Sequence, residues 1–420
     1  MKVTKDWITD QCTNHVIALW NKTPEHFPGY LLEYSEEQKN KNEEMLIFYQ
    51  KAFQKKAKCF STDLEKQQVW RNEIWNLVHE FMGREQVLGI SQYMSPDLFG
   101  AFEEQAKVFV RKTRAFDREL LLPQIWQGIR NFFIYAMIQD FLGHKQNCID
   151  PVFSYSLLYP YTDNFIDDPG QNRDQKAKYN HMIEEVLHGK SVNPDTSVER
   201  KTVLLLQKIQ DYYSGDKKKE IENLLLLMLK AQEESIRQGA GHHLEKPISE
   251  EELLKILSFK GGISVLNDYA FHVGELDETE AAFYLAFGFL LQLSDDLQDF
   301  VEDEQEHCQT LMVRAKQNGK LEKTVNRLLH YIWHVITDYQ PRNKRLKEFA
   351  IKNCVQMVLL TVGTHREAFS EAYLKEIEKH LPVHVDFIAG MAQSGMAQTK
   401  ERRTLSRQME ILDILVQKRD

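Results

Sequence analysis

Between residues 281 and 306 the chain reads AAFYLAFGFLLQLSDDLQDFVEDEQE, a nearly unbroken apolar and aromatic run that turns acidic within one helical length. A segment this apolar is stable only inside a core. On a helix, Gln292, Asp295/Asp296, Asp299 and Asp303 recur at intervals of three or four, so they form one polar stripe that continues a buried rod. A chain organised around such a rod is a helical bundle with carboxylates at the mouth of its apolar interior. That arrangement suits hard divalent cations held beside a greasy substrate.

The rest of the chain keeps the same period. Met45, Phe48, Tyr49, Ala52 and Phe53 give the lysine- and glutamate-rich segment 36–60 an apolar face, and Val69, Trp70, Ile74, Trp75, Val78 and Phe81 do the same for 65–82. An aromatic stripe at this spacing belongs to a core more often than to a cavity wall. Longer, more apolar helices are predicted over 98–116 and 123–142. Ser249 with Glu252 forms a capping box, and Asp277 with Glu280 caps the start of the central rod. No strand alternation and no repeat of fixed period is present. The fold class is therefore all-α, a large single helical bundle over residues 96–420 preceded by a helical extension over 1–95.

With 420 residues, 42% of them hydrophobic, the chain can bury a large core. Its 53 Lys and Arg against 62 Asp and Glu leave a formal charge of −9, with both signs scattered, which argues against nucleic acid as a partner. The five cysteines are odd in number, widely spaced and form no CxxC, so they read as reduced thiols. His242-His243 and His307-Cys308 lack partners at zinc-ligand spacing. The first residues contain no compact apolar signal region, and no uninterrupted apolar segment reaches ~18 residues. A cytoplasmic location is expected.

A second acidic group lies in PVFSYSLLYPYTDNFIDDPGQNRDQK, which opens at Asp150-Pro151. Asp163 and Asp167 are four apart and share a helical face, while Asn164 and Asp168 form a parallel pair further round. Pro160 is expected to bend this helix, Pro169-Gly170 to end it, and residues 170–199 to supply a polar loop over the mouth of a pocket. Lys260 offers a point cation for a phosphate. Gly261-Gly262 after it permit a close backbone approach or mark a kink. Each acidic group taken alone also fits a solvated helix end.

The segment LQLSDDLQDFVED resembles the second aspartate-rich motif of the isoprenoid-synthase superfamily, the trans-prenyl diphosphate synthases and class I terpene synthases. Asp163 to Asp167 resembles the first motif of those enzymes, and Lys260, 35 residues before Asp295, resembles their lysine. The resemblance implies that Asp163 and Asp167 ligate Mg²⁺ with Asp168 nearby, and that Asp295 and Asp299 ligate from the facing helix with Asp303 at the margin. It further implies that Lys260 holds the diphosphate, that Gln292 forms the floor, and that Arg173 stands nearest to the usual arginine pair.

Departures from the pattern bear on the reaction. No Gly-Gly-Lys-Arg segment and no arginine pair is present, and Gly261 occupies the place of a usual threonine. These gaps favour a one-substrate terpene synthase, and YTDNFIDD is similar to the first motif of bacterial large-terpene synthases, which use long prenyl diphosphates. The competing expectations are a prenyltransferase joining two substrates and a non-catalytic helical partner subunit. A prenyl diphosphate substrate would bring the protein transiently to a membrane surface, and a homodimer is one assembly open to it.

Overall fold

The computed structural model describes residues 3–60, 63–168, 170–239, 248–398 and 402–417; for Asp167, 392–398 and 402–406 the backbone alone is described. His242 and His243 thus lie outside the described residues. Every regular element among the described residues is a helix, so the chain is all-α. No described helix is long and apolar enough to cross a membrane.

Two compact units are present. The first combines Met1–Phe27 with Pro123–Arg342, and the second combines Pro28–Leu122 with Asn343–Asp420. This division does not follow the textural change near residue 95, and the physical reason lies in what the first helices pack on. Cys12, Val16, Ile17 and Trp20 are buried. Trp20 meets the rings of Phe289 and Tyr331 edge-on at 5.9 and 5.7 Å, and Glu25 pairs with Arg327. Residues 1–27 therefore belong to the core of the first unit.

At the centre of that unit two helices, Glu250–Ala270 and Glu278–Gln305, pack along one another. Both start where the sequence predicts: the Ser249–Glu252 capping box is formed, and the Asp277 carboxylate accepts from the amides of Thr279 and Glu280. The Glu250–Ala270 helix runs unbroken through Gly261-Gly262, which settles the choice between a kink and a close approach in favour of the approach. Outside this pair stand Leu122–Phe141, Asp150–Asp167, Arg173–Leu187, Ser197–Tyr212, Gly215–Ser235 and Leu321–Asp338. Asp150–Asp167 continues past Pro160.

The polar segment after residue 170 is mostly helix rather than loop. Asn172 and Gln175 form a capping box, and Tyr179, Ile183, Val186 and Leu187 are buried at helical spacing on the Arg173–Leu187 helix. Four apolar anchors within a lysine- and glutamate-rich stretch are enough to dock it.

In the second unit, the Glu36–Lys58, Leu64–Arg84 and Arg402–Leu415 helices share a small core of Trp70, Ile74 and Ile414. The indole N–H of Trp70 donates to Lys56 O at 2.7 Å and that of Trp75 to Leu415 O at 3.0 Å. These bonds leave neither indole donor orphaned, with Trp70 buried and Trp75 partly so. Trp70 is core, as its spacing predicts, whereas Val69 is 61% exposed and lies off the packed stripe.

Candidate functional site

The site is set by a backbone-to-backbone crossing of the two central helices. A Cβ on Gly261 would lie 2.4 Å from Gly288 O and 2.7 Å from Gln292 Cβ; one on Gly288 would lie 2.0 Å from Gly261 O. Only glycine on both sides admits this contact. The crossing fixes the side chains that flank it, Lys260 on one helix and Gln292 on the other.

One turn beyond Gln292 is Asp296. The Gln292 amide nitrogen donates to Asp296 Oδ1 at 3.0 Å. Asp296 is buried, and its Oδ2 has no partner. Burial pushes its pKa up to about 7 against the Gln292 hydrogen bond, with repulsion from Asp295 and Asp303 adding to the rise and Lys260 opposing it. The Lys260 charge therefore reaches Asp296.

Asp299 is exposed over much of its surface. Even so, partial burial of its carboxyl, then repulsion from Asp295, Asp303 and Glu302, raises it to about 6, with Arg130 pulling down. Asp303 is raised to about 6, first by burial and then by Glu306, Asp295 and Glu302, against a hydrogen bond from Thr310. The acidic stripe thus carries more negative charge than its surroundings accommodate. Asp295, half exposed, faces Arg130 of the Leu122–Phe141 helix at 3.7 Å.

Arg130 and its neighbour Asn131 tie the acidic helices together. Asn131 donates to Ser156 Oγ at 3.0 Å on the Asp150–Asp167 helix and to Asp268 Oδ1 at 3.3 Å on the Glu250–Ala270 helix. Tyr155 donates to Ser264 O at 3.1 Å, and the Tyr159 and Ser264 hydroxyls are 2.5 Å apart. Lys260, Ser264 and Asp268 are spaced four apart, so one face of this largely buried helix carries a polar row leading on from the crossing. Asp268 is fully buried with Oδ2 unpartnered, and burial raises its pKa well above the usual range despite the Asn131 bond. Sequence reasoning missed Arg130, Asn131 and Asp268; the 260–264–268 period was the signal that could have found Asp268.

On the Asp150–Asp167 helix, Asp163 Oδ1 accepts from the Gln232 amide at 2.8 Å. Asp167 lies in the last turn, and its side chain is outside the described residues. Asp168 follows the helix and accepts from Gly170 N at 2.8 Å and Gln171 Nε2 at 3.2 Å. These two bonds, the backbone one first, hold its pKa below the usual value, so its carboxylate is engaged in its own turn. Arg173 sits exposed in the first turn of the next helix.

A cavity of about 50 Å³ lies beside Asp163 and Gln232, walled by Tyr155, Tyr159, Leu206 and Leu225 among others. A pocket for a sizeable ligand runs to about 300–1,000 Å³, so this cavity holds one only if these side chains part. The aromatic residues of the central rod serve as core: Tyr284, Phe287 and Phe289 are fully buried. Phe165 stacks on Tyr179 at 4.2 Å. Phe133 is partly exposed, at 37%, on the same helix as Arg130.

The donor set fits Mg²⁺ in kind: it is all carboxylate oxygen, and its Asp295, Asp299 and Asp303 members repel one another beside the buried, unpartnered Asp296 Oδ2. Among the described residues no three His, Cys, Asp or Glu side chains gather into a group that could hold an ion by themselves. Mg²⁺ asks for less, since it keeps several waters and takes one or two carboxylates with substrate phosphate.

No family model matches the chain, and no curated protein matches it. A solved chain described as the crystal structure of geranylgeranyl pyrophosphate synthase superposes with a TM-score of 0.31 at 11% identity, over 69% of this chain and 95% of that one. A likeness at this level carries no argument about function, which rests on the chain's own residues.

Proposed function

We propose that this chain is a Mg²⁺-dependent enzyme of prenyl diphosphate chemistry, and within that class a terpene synthase, a carbon–oxygen lyase that ionises a long prenyl diphosphate to a linear or cyclic terpene. The observation that carries the reading is the Gly261–Gly288 crossing, which sets the helix of Lys260 against that of the hydrogen-bonded Gln292 and Asp296 where an apolar helix gives way to carboxylates. The resemblance of LQLSDDLQDFVED and of Asp163 to Asp168 to two aspartate motifs supports it.

In this reading Asp163 and Asp167 on one helix, and Asp295 and Asp299 on the other, hold the ions, with Asp168 and Asp303 at the edges. Bound Mg²⁺ supplies neutralisation of the charge that develops on the departing diphosphate. Lys260 fixes the diphosphate as a point cation, and Gln292 orients Asp296 by its hydrogen bond. Apolar helix faces keep water from the carbocation once the allylic C–O bond has broken. All these residues lie in the first compact unit, to which we assign the chemistry.

Purified protein incubated with Mg²⁺ and prenyl diphosphates of increasing length is expected to release hydrocarbon or alcohol plus diphosphate. A longer diphosphate formed only when isopentenyl diphosphate is added would assign a prenyltransferase instead. Absence of turnover with every chain length, with or without that addition, would leave the non-catalytic partner as the reading.

Metal binding has its own readout. Asp296, Asp299 and Asp303 hold protons to higher pH than an unfolded aspartate does. As pH rises from about 4 to about 7 the unfolded chain releases these protons first, so the metal-free protein loses stability across that window. A cation needs the ionised carboxylates and displaces the same protons. The rise in melting temperature on adding Mg²⁺ to chelator-treated protein should therefore be larger near pH ~8 than near pH ~5. An equal rise at both would contradict assignment of Asp299 and Asp303 as ligands.

A further inference from the structure

A cavity lined by residues of the second compact unit contains none of the residues named in the proposed chemistry. It is a half-open cleft of about 740 Å³ between the Leu64–Arg84, Ile90–Tyr93 and Pro96–Phe116 helices and the stretch that ends the Arg402–Leu415 helix. We propose that it is a binding site for an uncharged, largely apolar molecule carrying at most a hydroxyl-type polar end, such as a long-chain or terpenoid alcohol.

The apolar part of the wall, the larger share, is aromatic, aliphatic and thioether, from Trp75, Met82, Ile90, Met94, Phe99 and Leu415. Methionines adapt their shape to irregular apolar ligands. The volume falls within the range of small-molecule sites.

The charged groups of the lining already have partners inside the protein. Glu103 accepts from His79 Nε2 at 2.6 Å and pairs with Lys107. The Lys107 ammonium lies 3.5 Å from the centre of the Trp75 ring. Glu104 pairs with Arg111 at 2.8 Å, and Arg71 donates to Gln417 O at 3.5 Å. A ligand with a full charge would have to compete with these pairs or be buried without a counter-ion, which is costly. A neutral one would not. The polar side chains exposed at the edge, His79 and Glu104, with side-chain exposures of 44% and 56%, leave room for a hydroxyl to be solvated or to hydrogen-bond.

Two glycines of the lining keep the space open. A Cβ placed on Gly83 or Gly100 would meet nothing within 4 Å. Within helices each glycine costs about 1 kcal/mol relative to alanine, and here neither is demanded by backbone contact, in contrast to Gly261 and Gly288.

Farnesol serves as the probe, titrated into the full-length protein by calorimetry, with palmitate as the charged comparison. Wild type is expected to bind farnesol saturably and more tightly than palmitate. Gly100→Phe and, independently, Gly83→Leu should weaken farnesol at least about tenfold while melting at or above the wild-type temperature. In wild type alone, farnesol should slow amide hydrogen exchange within residues 64–116. Undiminished farnesol affinity in both folded variants, preference for palmitate, or protection confined to residues 123–342 would each overturn the proposal. None of these outcomes depends on whether the first unit turns over prenyl diphosphates.

Discussion

Asp295→Asn, and separately Asp163→Asn, is expected to lower prenyl diphosphate turnover by at least about a hundredfold, the scale on which removal of one preorganised electrostatic group acts, with the fold intact. The fold should survive because both changes keep size and shape. Asn at 163 still offers an oxygen to the Gln232 amide, which now donates to Asp163 at 2.8 Å. At 295 the loss is an ion pair with Arg130 at 3.7 Å between half-exposed side chains, an interaction of about 0–1 kcal/mol. Against that loss, Asp295 is a source of the repulsion felt by Asp296, Asp299 and Asp303, so its neutralisation relieves the stripe. Melting should stay level or rise slightly while activity falls. A double mutant with wild-type-like turnover would refute the ligand assignment, and one that retains a biological role without turnover would point to the partner-subunit reading.

The class of fold was legible because helical periodicity is local. The caps at Ser249 and Asp277, the apolar rod and the stripe from Gln292 to Asp303 all lie where spacing alone puts them. What was not legible depends on partners distant in sequence. Trp20 carries no local sign that it packs on Phe289 and Tyr331, so residues 1–27 could not be separated from the rest of the N-terminal segment. The Arg173–Leu187 helix was hidden by its polar surface, because only four apolar side chains and Asn180 are buried on it. Within the candidate site, Arg130 is one arginine among many until its distance to Asp295 is known.

Asp268 is a sharper case. A single carboxylate in an apolar helix is a weak signal in sequence. The four-residue spacing from Lys260 through Ser264 is its one sign in the sequence, whereas its burial beside Asn131 exists only once the helices are assembled. The glycines behave likewise: Gly261 is ambiguous between kink and contact until Gly288 is known to lie against it.

That contact gives the largest expected effect on stability. Gly288→Ala should lower the melting temperature even though alanine is the better helix former by about 1 kcal/mol. The new methyl would sit 2.0 Å from Gly261 O and 2.9 Å from Gly262 Cα, and helix backbone cannot swing aside as a long side chain can. Parting the helices strips contacts along two of the most buried segments of the unit, at a cost of about 1–3 kcal/mol for overpacking and more where nothing yields. For a unit of this size each kcal/mol corresponds to about 2–4 °C. Gly288→Leu should prevent the unit from folding. Gly83→Ala, whose Cβ would meet nothing within 4 Å, supplies the control and should melt at or above wild type. The separation would also carry Lys260 away from Gln292 and Asp296, so turnover should fall in Gly288→Ala under conditions where the protein remains folded. Because Gly261 and Gly288 oppose each other in one contact, Gly261→Ala with Gly288→Ala should cost clearly less than the sum of the single changes: once the first methyl has parted the helices, the second finds space. Additive losses, or a Gly288→Ala protein as stable as wild type, would mean that the two backbones do not meet there.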